Sequence, residues 1–324
     1  MNNMPEQTSA SKLKHFPITF FAMIMGMTGL TLVWEKASTV FAAPAIIGQL
    51  LLTLTACLFL ILTLIYLMKI ILKTPAVIEE FQHPIKLSFF PAFSINMILL
   101  SIATLGISED LSFVLWSTGA ALQLILTVYV LNQWIHHIKF QVIHMTPSWF
   151  IPIVGNILVP IAGVEHGYTE LSWFFFSIGI LYWIVLKTLV LNRMMFHDPM
   201  PEKLLPTMFI LIAPPAVGFV SYMKLNGELD NFARILFYAA MFLIVLLLSQ
   251  LPRFTRIRFF LSWWAYSFPL AASAIAAQLM YVTLGQPFYY YLALLLVSLA
   301  TVIIVLLFLR TLLAVIRHEI CLPE

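Results

Sequence analysis

Eight histidines and two cysteines are the residues of this 324-residue chain best suited to hold a metal or carry a nucleophile. A metal site needs three or four such ligands at close spacing, and a nucleophile needs a base within reach. Neither pattern occurs. His136 and His137 are adjacent but have no third ligand beside them, while His15, His83, His144, His166, His197 and His318 are scattered. Cys57 lies inside an apolar run and Cys321 in the C-terminal tail, which gives no disulfide framework and no metal spacing. Glycine-rich phosphate loops and nucleophile elbows are also missing. The expectation is a protein with no cofactor and no metal, and not an enzyme.

The chemistry that remains is that of charge against lipid. Hydrophobic residues make up 62% of the chain and charged residues 10%. A soluble domain carries about 25% charged residues and roughly 45–50% apolar ones. So little charge cannot clothe a water-soluble surface. The expected fold is an all-α integral membrane protein, with the lipid bilayer as its solvent and no nucleic-acid partner. The first apolar run, 16–34, is longer than the roughly 7–15 residues of a signal peptide core, and Ala43-Pro44-Ala45 is a poor cleavage site. It reads as a span.

Crossing the hydrocarbon core takes about 20 apolar residues, within a range of roughly 17–25. Ten segments meet that test: 16–34, 45–68, 87–107, 111–135, 148–164, 171–191, 205–223, 235–251, 261–283 and 288–309. A cytoplasmic tail, 1–15, would precede the membrane domain, 16–309, and another, 310–324, would follow it. Cytoplasmic loops are enriched in Lys and Arg. With both termini inside, 14 of the 17 Lys and Arg residues fall on the inner side, leaving Lys36, Lys224 and Arg234 outside. One span more or fewer would scramble that division.

Helix breakers divide the spans into two kinds. Odd-numbered spans carry Gly26 and Gly29; Pro91; Pro152, Gly155 and Pro160; Pro214, Pro215 and Gly218; and Pro269. Even-numbered spans carry only Gly119 and Gly179 well inside them. A proline removes one backbone hydrogen bond, and in lipid the freed carbonyl must find protein or cavity water. Bent odd spans are therefore expected inside, lining a central pore, with straight even spans outside. The unit would be a helical hairpin repeated five times, at intervals of roughly 55–70 residues.

No Asp, Glu, Lys or Arg lies near the middle of any span. Proton relays and cation sites in membranes are normally built on such groups. A neutral interior behind a mouth ringed by Lys and Arg favours small inorganic or organic anions.

Four stretches resemble the slow anion channel, tellurite-resistance TehA and C4-dicarboxylate (malate) transporter family, on its bacterial TehA-like side. They are His83-Pro84 followed by Phe89-Phe90; Thr146-Pro147-Ser148-Trp149 with Pro152; 212–218, Ile-Ala-Pro-Pro-Ala-Val-Gly; and 263–269, Trp-Trp-Ala-Tyr-Ser-Phe-Pro. The last is the most specific. The resemblance implies a homotrimer in the bacterial inner membrane, each ten-helix protomer enclosing its own pore. It also implies a gate, a phenylalanine of the ninth span that matches Phe268 here. Where the family places a glycine early in the first span, this chain has Ala22, with Gly26 one turn later. The expected function is a gated channel for chloride- or nitrate-like anions. The alternative is a secondary transporter of dicarboxylates or tellurite-type oxyanions.

Overall fold

The computed structural model describes residues 9–254 and 256–321, so 1–8 and 322–324 of the two expected tails lie outside the described residues. Its α-helices, in chain order, are α1 (Ser9–Lys14), α2 (Phe21–Val40), α3 (Ala45–Leu72), α4 (Thr74–Gln82), α5 (Pro91–Thr104), α6 (Glu109–His136) and α7 (Ile151–Gly163). They continue as α8 (Thr169–Phe196), α9 (Ala213–Asn226), α10 (Asn231–Leu248), α11 (Leu251–Phe254), α12 (Ser267–Leu284) and α13 (Pro287–Ile316). No strand occurs among the described residues.

Nine helical segments of the described chain are long and apolar enough to cross a membrane. The tenth, Pro147–Gly163, is shorter at 17 residues. Its mixture of 3-10 and α geometry reaches about 27 Å, close to the ~30 Å of hydrocarbon to be crossed. Every residue of α7 except Ile161 is buried, so this segment belongs to the centre of the bundle.

Burial separates the spans as the proline pattern predicts. The most apolar windows of the first, third, seventh and ninth spans are 67% to 78% buried, against 28% to 39% for the five even spans. The inner helices α2, α5, α7, α9 and α12 each touch the next, and α12 returns to α2, closing a ring. Each inner helix packs against the outer helix that follows it. Glycines set two of these hairpin contacts. A Cβ on Gly119 of α6 would come 3.0 Å from Ile98 and Met97 of α5. One on Gly179 of α8 would overlap the Ile157 side chain and lie 3.0 Å from the Ile157 backbone nitrogen of α7. Close approach of small residues is how helices associate where lipid removes the hydrophobic drive.

The prolines act differently from the expected mid-span kink. Each inner span begins with a 3-10 segment and then becomes α-helical: Ile18–Phe20 before α2, Lys86–Phe89 before α5, Pro147–Phe150 before α7, Glu202–Ile212 before α9 and Leu261–Tyr266 before α12. Pro91, Pro152, Pro214 and Pro215 lie in the first turn of the α segment, and Pro269 is third in α12. The first four N–H groups of an α-helix have no partner within it, so a proline there forfeits nothing. Among the site prolines, Pro160 alone lies in a helix interior. The outer spans start directly as α-helices, two of them capped by side chains: Ser108 accepts from the Leu111 N–H, and Asp230 from the Ala233 N–H. Asp230 lies in a loop, and the Ala233 N–H, then the Tyr222 hydroxyl, hold its carboxyl below the usual range.

The outer edges differ from the expected boundaries. Helix α13 continues through Ile316, past the tail boundary at 309. Arg310 reaches back to pair with Glu319 at 2.6 Å and lies over the Phe259 ring, so its aliphatic stem stays in the helix while its charge finds partners. The loop between the second and third spans folds into α4.

A side chain placed at Gly179 must push α8 off α7. Gly179→Leu is expected to lose about 1–3 kcal/mol through overpacking. Gly106→Ala, where a Cβ meets nothing within 4 Å, should be neutral. Thermal unfolding of both variants in detergent checks the pair.

Candidate functional site

The α portions of the five inner spans all start on the Lys- and Arg-rich side, and a cavity of about 740 Å³ opens there. Its rim carries Lys14, His15, His83, Lys86 and Lys203. Its acidic members are Glu79, Glu80 and Glu319, of which Glu80 is paired with Lys69 and Glu319 with Arg310. Below the rim the walls turn neutral: Thr19, Thr207, Met25, Phe89, Val154 and Ile210. The lining continues with Ala22, Ile151, Ala213, Phe268 and Pro269, residues at or beside a 3-10/α junction.

That junction gives the cavity its electrostatics. An α-helix carries roughly half a positive charge at its N-terminus. The α segments of the inner spans begin within the cavity wall, so several positive helix ends converge on one neutral space. Basic side chains at the rim add to the same sign. The space suits an anion that gives up water for backbone dipoles and hydroxyls.

Phe268 lines the cavity and is buried. It sits where α12 packs closely against α2. On α2, a Cβ at Gly29 would lie 3.4 Å from the ring's Cδ2 and 2.9 Å from the Ala271 Cβ. A Cβ at Gly26 would overlap the Ser267 side chain, so both glycines let α2 close against α12. Ser267 donates to the Trp264 carbonyl at 2.5 Å, and the Trp264 indole donates to Thr311 of α13 at 2.9 Å.

The sequence-derived residues thus fall into three groups. Ala22, Phe268 and Pro269 line the cavity. Gly26 and Gly29 form the α2–α12 seam behind it, while Pro91, Pro152, Pro214 and Pro215 start α segments around it. Gly155 and Gly218, expected at a pore wall, turn their open side to the outer ring. A Cβ on Gly155 would overlap the Gln123 amide of α6, and one on Gly218 would meet Ile180 and Leu236 of α8 and α10. Pro160 sits deeper in α7, beyond the cavity lining.

Sequence reading missed Ile151 and Ala213, although their signal was present: each immediately precedes a proline, as Phe268 does. It also missed the buried polar work between spans. Gln123 of α6 donates to the Pro152 carbonyl and accepts from Ser94 of α5, both at 2.7 Å. Thr127 donates to the same carbonyl at 2.9 Å, and Asn156 donates to Thr127.

Known proteins of plants and bacteria are similar to this chain. A family model described as SLAC1, voltage-dependent anion channel, matches residues 15–312. The S-type anion channel SLAH2 of Arabidopsis thaliana is 31% identical over 281 residues, 84% of this chain and 54% of its own length. The guard cell S-type anion channel SLAC1 of the same plant is 25% identical over 283 residues, covering 84% and 51%. A tellurite resistance protein TehA homolog of Haemophilus influenzae is 25% identical over 272 residues, 83% of each chain. The chain spans about half the length of these plant relatives and most of the bacterial one.

The cavity makes a labelling prediction that needs no knowledge of the ligand. With Cys57 and Cys321 replaced by Ser, Ala22→Cys and Ala213→Cys should react with a water-soluble thiol reagent. Ala276→Cys, as buried as Ala213 but outside the lining, should stay unreactive. Mass spectrometry of the labelled protein reads the difference.

Proposed function

This chain belongs to the SLAC1 family of voltage-dependent anion channels, and from that premise we propose that it is a gated channel for small monovalent anions of the chloride or nitrate type. The observation that carries this reading is the cavity itself: a basic rim, neutral walls from all five inner spans, and Phe268 in the lining. Phe268 is the gate in this proposal. An aromatic ring across a narrow apolar neck blocks ions and keeps the constriction dry. Ala22, with a methyl group where the family has glycine, narrows the same cavity.

Selectivity in such a path follows from what the walls omit. A cation leaving water finds no carboxylate ring or carbonyl filter among the neutral lining residues below the rim, whereas an anion meets positive helix ends. Anions that shed water easily are favoured. The alternative, a secondary transporter of dicarboxylates or tellurite-type oxyanions, draws support from the name of the bacterial relative. A dianion carrier needs a cationic group in the wall, and the buried lysine there, Lys69, is already paired with Glu80. The channel reading is therefore preferred.

The wider arrangement proposed is a homotrimer with one path per protomer, in a bacterial inner membrane. Both termini, with tails at 1–15 and 310–324 flanking the 16–309 membrane domain, face the cytoplasm. The distribution of Lys and Arg supports that direction, and the bacterial relative supports the membrane.

Phe268→Ala is expected to raise anion current several-fold in planar bilayers, with the current reversing at the anion's Nernst potential. Unchanged current at equal protein incorporation would remove Phe268 as the gate. Flux that saturates and ignores the Nernst potential would point to the carrier instead.

A further inference from the structure

The cavity wall contains a charged cluster that permeation leaves unused. Lys69, in the last turn of α3, and Glu80, on α4, have side chains only 3% and 5% exposed. Glu80 accepts from three donors: the Ile18 N–H at 2.8 Å to Oε1, and the Tyr66 hydroxyl at 3.0 Å and Lys69 Nζ at 2.8 Å to Oε2. Lys69 donates also to the Phe16 carbonyl at 2.8 Å.

The donors and the acceptor belong to different parts of the molecule. Lys69, Tyr66 and Ile18 belong to the first two spans, whereas Glu80 comes from the nine-residue helix α4. Glu80 is the only buried residue of α4. A surface helix ordinarily docks through an apolar stripe. This one docks by a carboxylate beside the half-buried Phe81, whose ring meets Phe90 and Tyr129. An ammonium, a phenol and a backbone N–H around one carboxylate form a charge-assisted set suited to small anions. The cluster also faces the cavity, since Lys69, Ala76, Glu79 and Glu80 all line it.

We propose that Lys69, Tyr66 and the Ile18 N–H form an anion-binding site in the cavity wall, specific for carboxylate-type anions, with Glu80 as its tethered occupant. Carried on α4, directly after α3, the Glu80 carboxylate is held at high effective concentration and excludes free anions. Withdrawal of α4 opens the site to an anion from the cavity. The proposal goes beyond permeation and rests on this cluster alone.

Chemical rescue tests it on the purified full chain in detergent. Glu80→Ala should lower the melting temperature by several degrees, because it strands a buried ammonium. Acetate, which replaces the missing carboxylate, should restore at least half of the loss, since a ligand that binds only the folded state stabilises it. Acetamide, its uncharged isostere, should restore none, and the wild type should not respond to acetate beyond its response to acetamide. Adding Lys69→Met to Glu80→Ala should abolish the acetate effect. A Glu80→Ala protein that acetate stabilises no more than acetamide does, or a double variant still rescued, overturns the site and leaves an ion pair of purely structural use. Should Glu80→Ala not survive purification, the yield of folded protein in acetate buffer becomes the readout, and no recovery there overturns the proposal as well. No current is measured, so a failure here is distinct from a failure of the channel reading.

Discussion

Every backbone N–H and C=O that enters the hydrocarbon core must be satisfied by the protein itself. That constraint explains why two kinds of span exist here. The outer helices face lipid and run as unbroken α-helices of up to 30 residues, two of them capped by side chains and one begun by Pro287. Only the inner spans depart from α geometry, and they do so where protein and cavity surround them. A 3-10 start tightens the helix and shifts side chains toward threefold repetition, while the proline marks the return to α. Residues at or beside all five junctions line the cavity.

Holding the ring together without a hydrophobic drive requires close contact and hydrogen bonds between helices. Glycines supply the first at the α5–α6, α7–α8 and α2–α12 contacts. Buried amides and hydroxyls supply the second. The Asn96 amide donates to the Phe21 carbonyl, Trp116 to the Val159 carbonyl and Gln123 to the Pro152 carbonyl, each within 2.9 Å. Such bonds in membranes contribute about 0.6 kcal/mol apiece. Their number, and not the strength of any one, fixes the rotation of each inner helix and so the residues it turns to the cavity.

Charge is arranged by depth. The basic residues of the rim gather anions by long-range attraction, which salt screens, and the neutral walls then select by dehydration. Lys69 breaks that division, since it lies within the wall. Its pairing with Glu80 shows how a fixed charge is tolerated at such depth: the desolvation cost is offset by three further hydrogen bonds to the pair.

The sequence by itself determined the solvent, the number of spans, their direction relative to basic residues and the division into inner and outer helices. These follow from composition and from one-dimensional periodicities, which lipid reads without reference to distant contacts. It also supplied Phe268 and Ala22 through a local motif. Only the tertiary structure decided the rest. The side to which Gly155 and Gly218 open depends on helix rotation, and rotation depends on partners such as Gln123 and Leu236 far away in the chain. That the prolines begin α segments instead of bending their middles depends on 3-10 turns stabilised by neighbouring spans. The meeting of Glu80 with Lys69 depends on α4 folding back against α3 and the start of α2. Each is a contact between surfaces, and no linear pattern of apolar residues encodes which surfaces will touch.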